Sequence, residues 1–220
     1  MGYKENFIEL MLNAGVLTFG DFTTKSGRKT PYFINTGNYQ TGEQISALGD
    51  YYAECIVASG ARFDMLFGPA YKGIPLAVAA ASSLHRNYGR NVPYSFNRKE
   101  PKDHGEGGSI VGYKPKDGDK AAIIEDVVTA GTAVRETIAL FKTIARVDIT
   151  ALYVSVDRME RGSGSLSALR ELEQSCGISV HPIVTVREII HYVSGGGNGN
   201  KIIDDRHVKR MEEYLAQYGA

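Results

Sequence analysis

Apolar positions along the chain follow two different spacings, and these spacings predict helices and strands. Helical spacing occurs from Phe7 to Leu12, just before Gly15, and again from Gln44 to Ser59. Between these segments, β-branched and aromatic residues from Phe19 to Asn35 flank a Ser-Gly turn. The first 60 residues therefore predict a helix, an antiparallel hairpin and a second helix.

From Asp64 onward, short apolar runs alternate with amphipathic segments. Short apolar runs bounded by turn residues and followed by helices are typical of a parallel sheet with helices covering its faces. We therefore expect an α/β core with a mostly parallel central sheet flanked by helices. The predicted strands are Asp64–Phe67, Ala121–Ile124, Ile149–Val156 and Val180–Val186, and the predicted helices are Ile74–His85, Thr132–Ile144 and Asp204–Tyr218.

Charge and composition narrow the classes of function. The 25 basic and 25 acidic residues cancel, which disfavours a nucleic-acid or membrane surface as partner. No apolar run approaches the roughly 20 residues that cross a bilayer, and residues 1–15 lack the continuous apolar stretch of a signal peptide. Cys55 and Cys176 have no metal-ligand spacing and are expected to be reduced thiols. A cytoplasmic protein is the expectation.

The strongest chemical signal is the segment Ala121–Glu136, in which an apolar strand ends in two acids and a small-residue turn leads into a helix. The turn, residues 129–132, offers backbone N–H groups and two hydroxyls at a helix N-terminus, where a phosphate is stabilised. Glu125 and Asp126 would repel a phosphate but accept hydrogen bonds from sugar hydroxyls. A lone turn of this kind is more often a capped surface turn; the strand and the acid pair favour a ribose 5-phosphate site.

The same segment, read as IIEDVVTAGTA, resembles the phosphoribosyl pyrophosphate (PRPP) motif of the phosphoribosyltransferases. That family usually begins the motif with two acids, often Asp-Asp, where this chain has Glu-Asp. The resemblance implies that Asp126 is catalytic and that PRPP is bound by the residues Glu125, Asp126, Val127, Val128, Thr129, Ala130, Gly131, Thr132 and Ala133.

Four further segments, Phe19–Asn35, Phe63–Pro75, Phe96–Gly112 and Ser155–Gly162, resemble the orotate phosphoribosyltransferases. The resemblance implies a type I phosphoribosyltransferase fold, with residues 1–220 in one domain and about 1–40 forming a small N-terminal hood over the acceptor. It implies transfer of the phosphoribosyl group from PRPP to orotate, giving orotidine 5'-phosphate and pyrophosphate in pyrimidine biosynthesis. It also implies Mg²⁺ held mainly by substrate oxygens, and a homodimer with shared active sites.

The stretch Arg98–Gly108 mixes basic and acidic residues and contains no large apolar residue. Such a stretch is either a solvated loop or a lid whose cations close over a polyanion; a PRPP site elsewhere in the chain favours the lid. The sequence FNRKEPKDHGEGG resembles the family's mobile catalytic loop. The resemblance implies that Arg98, Lys99, Lys102 and His104 bind PRPP, with Lys102 and His104 catalytic and His104 a candidate proton donor.

The sequence GPAYKG, residues 68–73, follows a predicted strand and would by itself be an ordinary turn. In the family this loop binds pyrophosphate, which implies that Tyr71 and Lys72 contact PRPP and that Lys72 is catalytic.

The acceptor site is implied by the hairpin and by Arg158. Lys25 would ordinarily be a surface charge and Phe33 and Ile34 ordinary strand residues, but in the family this stretch covers the acceptor. The resemblance places Lys25 near the ligands, lets the backbone at Phe33 and Ile34 grip the pyrimidine, and adds Thr129 to the orotate contacts. Arg158 follows a predicted strand, and its forked donors suit the carboxylate of orotate.

Two alternative functions remain open from the sequence. One is a phosphoribosyltransferase that acts on a purine or another base, against which the hood and Arg158 argue. The other is a non-catalytic regulator that senses PRPP, which would be free to lose the lid cations that this chain keeps. A nucleic-acid-binding role is weaker because the chain has no basic stripe.

Overall fold

In the residues described by the computed structural model, 2–24, 27–102, 108–128, 131–162, 164–196 and 200–220, the chain forms eight strands and seven α-helices. The strands are β1 Leu17–Thr23, β2 Lys29–Ile34, β3 Met65–Gly68, β4 Tyr94–Lys102, β5 Gly108–Gly112, β6 Lys120–Glu125, β7 Asp148–Asp157 and β8 Ser179–Thr185. The helices are α1 Tyr3–Asn13, α2 Gly42–Ser59, α3 Gly73–Tyr88, α4 Thr132–Lys142, α5 Ala168–Cys176, α6 Val186–His191 and α7 Asp205–Tyr218. A 3-10 turn covers Thr36–Asn38, and a π-helical turn covers Tyr192–Gly196.

The central sheet has the strand order β5-β4-β3-β6-β7-β8. All neighbouring pairs are parallel except β4 and β5, which form an antiparallel pair at one edge. The chain leaves β3 towards β4 on one side, whereas it leaves β6 towards β7 on the other. The sheet therefore has a topological switch point between β3 and β6, where open α/β sheets bind ligands at their carboxyl ends.

Successive side chains of the central strands point to opposite faces of the sheet, so apolar clusters form on both faces. Leu66, Ile124 and Tyr153 belong to the larger apolar cluster, on the face covered by α2 and α3. Ile123 and Leu152 belong to a second cluster, which includes residues of α4 and α5. Because both faces are covered, the strands are nearly continuous apolar runs, as parallel sheets require.

The strands β1 and β2 form a separate antiparallel hairpin that packs against α7. His207 Nε2 donates to the carbonyl oxygen of Pro31 at 2.7 Å, and the rings of Tyr32 and Tyr214 pack edge to face with centroids 5.9 Å apart. Arg210 also forms an ion pair with Asp21. A two-stranded hairpin is marginal in isolation, so these contacts with α7 stabilise it.

The structure confirms the α/β fold, the hairpin and the order of strands and helices predicted from Asp64 onward. It adds the strands β4 and β5 and the helices α5 and α6, which the sequence reasoning missed. It also corrects the predicted loop Arg98–Gly108, because residues 98–102 continue β4. The register between β4 and β5 shifts after Asn97, and Lys102 then lies opposite Gly108. Within the described ranges, no helix combines the length and apolar character needed to cross a membrane.

Candidate active site

The switch point of the sheet brings together two loops that are distant in sequence. The loop after β3, residues 69–72, carries Lys72, and the end of β6 carries Asp126. Lys72 Nζ lies 2.8 Å from Asp126 Oδ2. The Lys72 side chain is 62% exposed and that of Asp126 only 13%, so an exposed cation contacts a largely buried carboxylate. The two residues predicted to be catalytic from separate motifs therefore meet in one crevice.

Glycines at both ends of the loop permit its close approach to the sheet. A Cβ on Gly73 would lie 2.8 Å from the carbonyl oxygen of Ile124 in β6, and a Cβ on Gly68 would overlap the carbonyl of Gly73. The amide of Ala70 donates to Asn97 Oδ1 in β4 at 2.8 Å, and the Ala70–Tyr71 peptide is cis. The loop is held by its backbone, which leaves the Lys72 side chain free to contact the crevice.

The two adjacent acids have different pKa values. Burial, followed by the nearby charge of Asp126, raises the pKa of Glu125 from 4.5 to about 7, and the residue is 9% exposed. Burial also acts to raise the pKa of Asp126, but hydrogen bonds from Lys72 and Thr36 outweigh it and lower that pKa. At neutral pH the pair therefore holds an ionised Asp126 beside a Glu125 that is partly protonated.

Three side chains that the sequence analysis did not single out support the acid pair. The Tyr52 hydroxyl donates to the carbonyl of Glu125 at 2.6 Å, and the Ser155 hydroxyl donates to the carbonyl of Asp126 at 2.6 Å. Thr36 Oγ1 donates to Asp126 Oδ2 at 2.6 Å. All three come from other elements and lie far away in the chain, so no local sequence signal indicates them.

The predicted phosphate turn is described in part. Val127 and Val128 follow β6 half-buried, and Gly131 has a left-handed backbone at φ 70° where α4 begins. Helix α4 begins at Thr132, followed by Ala133. Among the described residues no side chain caps this helix end, so its first N–H groups have no side-chain acceptor there. Thr129 and Ala130 lie outside the described residues.

The lid residues are likewise only partly described. Lys99 Nζ lies over the exposed ring of Tyr71, 4.9 Å from its centroid, which brings two predicted PRPP residues together. Arg98 lies half-buried in β4. The backbone of Lys102 ends β4, but its side chain, like the whole of Lys25 and His104, lies outside the described residues.

Arg158 lies just beyond β7, in a cluster of charged and aromatic residues. Its Nη2 donates to Glu160 Oε1 at 2.6 Å, and its guanidinium lies over the Tyr32 ring at 5.6 Å. Glu160 also accepts a hydrogen bond from the Tyr214 hydroxyl at 3.0 Å and pairs with Arg28 at 3.7 Å. The Arg158 Nε is buried without a hydrogen-bond partner among the described groups. A buried N–H without a partner costs free energy, so a hydrogen-bond acceptor placed at Arg158 Nε would be stabilising.

A five-residue segment connects Arg158 to Asp126. Tyr32 at its start lies under Arg158, and Thr36 at its end contacts Asp126. The four residue steps from Tyr32 to Thr36 span at most about 14 Å between Cα atoms. The Arg158 and Asp126 contacts are therefore made by residues that lie close together. Phe33 and Ile34, the predicted acceptor residues, lie between them. Phe33 is 39% exposed and stacks on Phe22, whereas Ile34 packs against the core.

Metal binding by this site would depend on few protein ligands. Among the described residues, no three His, Cys, Asp or Glu side chains are grouped as metal ligands. Mg²⁺ often binds through one or two carboxylates together with substrate phosphates. Glu125 and Asp126 fit an ion of that kind.

A lysine loop after β3 and an acid pair at the end of β6 meet across the switch point, an arrangement that indicates the phosphoribosyltransferase class. A family model described as the phosphoribosyl transferase domain matches residues 35–167. An orotate phosphoribosyltransferase of Lachnoclostridium phytofermentans is 52% identical over 219 residues, covering 99% of this chain and 97% of the relative. One of Clostridium acetobutylicum is also 52% identical, covering 99% and 98%.

A solved structure gives the same result. The orotate phosphoribosyltransferase of Francisella tularensis superposes with a TM-score of 0.87 at 38% identity, covering 98% of this chain and 100% of that one. The chain belongs to the orotate phosphoribosyltransferase family.

Proposed function

We propose that this protein transfers the phosphoribosyl group of PRPP to orotate, giving orotidine 5'-phosphate and pyrophosphate for pyrimidine (UMP) synthesis. The observation that carries the proposal is the Lys72–Asp126 contact across the switch point. In this contact the Lys72 cation, which suits pyrophosphate, lies next to the Asp126 carboxylate, which suits ribose hydroxyls. The full-length similarity to relatives with this name supports orotate as the acceptor.

The donor site is proposed to run along the end of β6. The ionised Asp126 accepts hydrogen bonds from ribose hydroxyls, and Glu125 contributes beside it. The 5-phosphate binds at residues 127–133, where the start of α4, which no described side chain caps, favours an anion. This order places sugar and phosphate on consecutive residues of one turn.

The reaction breaks the bond between the anomeric carbon of PRPP and a pyrophosphate oxygen. A ring nitrogen of orotate forms the new bond to that carbon, and its proton is taken up by the departing pyrophosphate. Negative charge accumulates on the departing pyrophosphate, and stabilising that charge is the main task of the site. We assign it to Lys72 and Lys99 and to Lys102 and His104 of the lid, while Tyr71 and Arg98 make further contacts with PRPP. Mg²⁺, when bound, would add positive charge beside the pyrophosphate oxygens.

The acceptor site is proposed to lie between Arg158 and the hood. The Arg158 Nε is buried and lacks an acceptor among the described groups, and a carboxylate of orotate would satisfy it. Backbone groups at Phe33 and Ile34 then contact the pyrimidine ring, with Lys25 and Thr129 nearby. The five-residue segment 32–36 supports this arrangement, because it runs from Arg158 to the proposed ribose site.

Several broader features complete the proposal. The whole chain acts as one domain in which about 1–40 form the hood, and two copies form a homodimer that shares its active sites. The protein works in the cytoplasm, which suits its two free cysteines, Cys55 and Cys176.

The proposal is tested by mixing the protein with orotate, PRPP and Mg²⁺ and following the loss of free orotate, with each component omitted in turn. Uracil, adenine and hypoxanthine serve as matched acceptors. Turnover only with orotate is expected. Turnover with a purine would replace the acceptor assignment, and PRPP binding without any turnover would favour the regulator.

A further inference from the structure

The hydroxyl of Thr36 lies between the two charged groups of the switch-point crevice. Its Oγ1 donates to Asp126 Oδ2 at 2.6 Å and accepts from Lys72 Nζ at 2.9 Å. Lys72 Nζ donates to the same Asp126 oxygen at 2.8 Å. Thr36, Lys72 and Asp126 therefore contact one another in a closed triangle, and Thr36 donates its single hydroxyl proton to Asp126.

Thr36 is held in place by the hood and not by the strand that carries Asp126. It begins the 3-10 turn after β2, where the Asn35 side chain accepts from the amide of Gly37 at 3.2 Å. Asn38 Nδ2 donates to the carbonyl of Gly15 at 2.7 Å, which ties the other end of the turn to the start of the hairpin. The hydroxyl therefore approaches Asp126 from a support that is independent of β6.

When PRPP binds, Lys72 can leave Asp126, whereas Thr36 can remain bonded to it. Lys72 is largely exposed, and a pyrophosphate group would offer it more negative charge than one carboxylate does. Once Lys72 turns to that group, Thr36 is the side-chain donor that remains on Asp126 Oδ2 among the contacts described. A carboxylate fixed through one oxygen keeps its other oxygen available to a ribose hydroxyl.

We infer that Thr36 is a positioning residue for PRPP binding, which orients Asp126 after Lys72 has moved to the pyrophosphate. This inference rests on the proposed function. It also means that the acid of the donor site is oriented from the segment that carries Phe33 and Ile34, the proposed acceptor contacts.

The test compares two substitutions of Thr36. Thr36→Val keeps the shape of the side chain and removes the hydroxyl, whereas Thr36→Ser keeps the hydroxyl. Thr143→Val is the matched control, because Thr143 is exposed at the end of α4 and its hydroxyl donates only to the Leu140 carbonyl, at 2.7 Å. The dissociation constant of PRPP with Mg²⁺ is measured by calorimetry without orotate, followed by KM and kcat with both substrates.

Loss of a hydrogen bond to a charged group predicts about tenfold weaker PRPP binding by Thr36→Val. Its KM for PRPP should rise in parallel and kcat should change less. Thr36→Ser should bind PRPP within about threefold of the wild type, and Thr143→Val should bind it equally well. Melting temperatures establish that each variant is folded, and Thr36→Ala replaces Thr36→Val if the valine variant does not fold.

Unchanged PRPP affinity in a folded variant without the hydroxyl would overturn the inference. Equal weakening by valine and serine would overturn it too, because the hydroxyl would then not be the cause. Failure of the wild-type protein to bind PRPP would instead remove the proposed function on which the inference rests.

Discussion

Glu125 and Asp126 are adjacent in sequence but occupy different electrostatic environments. Asp126 receives hydrogen bonds from Lys72 and Thr36, whereas Glu125 is buried beside a negative charge. The pKa of Glu125 is therefore raised to about 7 and that of Asp126 is lowered. Two acids that look equivalent in the motif thus differ in protonation near neutral pH.

This difference predicts a pH-dependent stability. Because the folded-state pKa of Glu125 is raised from 4.5 to about 7, the folded protein binds more protons in that window and loses stability as the pH rises through it. Glu125→Gln cannot lose this proton. The free energy of unfolding of the variant relative to the wild type should therefore increase by about 3 kcal/mol between pH 4.5 and 8.

The comparison between the two proteins cancels the titrating groups that do not interact with Glu125, including His181, whose pKa burial lowers. Urea unfolding at pH 4.5, 6 and 8 provides the measurement. A difference that stays constant across these three values would show that Glu125 does not titrate in this window.

Arg158 gives a second prediction at the scale of a single residue. Arg158→Lys keeps the positive charge and can still reach Glu160, but it removes the guanidinium fork and its buried Nε. The KM for orotate should rise at least tenfold, which corresponds to the loss of a hydrogen bond to a charged group, while the KM for PRPP stays within about twofold.

Steady-state kinetics with each substrate varied in turn measures both constants. Arg86→Lys is the matched control, because Arg86 pairs with Asp50 on the surface at 2.7 Å. A similar increase in both KM values would contradict the assignment of Arg158 to the acceptor.

At the scale of elements, the loop between β3 and α3 depends on glycine for its distance from the sheet. A Cβ on Gly73 would lie 2.8 Å from the Ile124 carbonyl, a backbone atom that cannot rotate away. Gly73→Ala should therefore displace the loop, destabilise the fold by about 1–3 kcal/mol and weaken PRPP binding.

Thermal unfolding and PRPP calorimetry test this expectation. Gly42→Ala is the matched control, because no heavy atom lies within 4 Å of a Cβ built there. Equal melting temperatures and PRPP affinities for the two variants would contradict a packing role for Gly73.

Hydrophobic spacing predicted the elements that bury a regular apolar face. It was accurate for α2, β6 and β7, where buried apolar positions recur over many residues. It missed α5, a nine-residue helix that buries only Leu169 and Leu172. It also treated residues 98–102 as loop, because this end of β4 has no apolar run that would indicate a strand.

At the scale of the whole molecule, the proposed sharing of the active site between two subunits gives a prediction for mixed dimers. Lys102→Ala in the lid and Asp126→Asn at the ribose site should each be nearly inactive alone. If the lid acts across the interface, a heterodimer holds one site with both defects and one intact site. Activity after random exchange should then approach about a quarter of wild type.

Mass spectrometry verifies that heterodimers have formed before activity is measured. A lid that serves its own subunit leaves one defect in every site and gives no recovery. That result would remove the shared site while leaving the transfer reaction unaffected.

The sequence predicted only those residues of the candidate site that belong to a continuous motif. Lys72 and Asp126 each follow a predicted strand, which placed both at the carboxyl edge of the sheet, but their contact was not predicted. Thr36 and Glu160 could not be found in this way: Thr36 is 90 positions from Asp126, and Glu160 is 54 from Tyr214. Such contacts follow from the packing of the hairpin and α7.

The packing of β1 and β2 against α7 also affects the order in which the molecule can be completed. Ribosomes add about 5–20 residues per second, so α7 emerges roughly ten to forty seconds after the hairpin. Until then Tyr32 lacks Tyr214, and Pro31 lacks the hydrogen bond from His207. The hairpin is therefore synthesised early but lacks its contacts with α7 through most of translation.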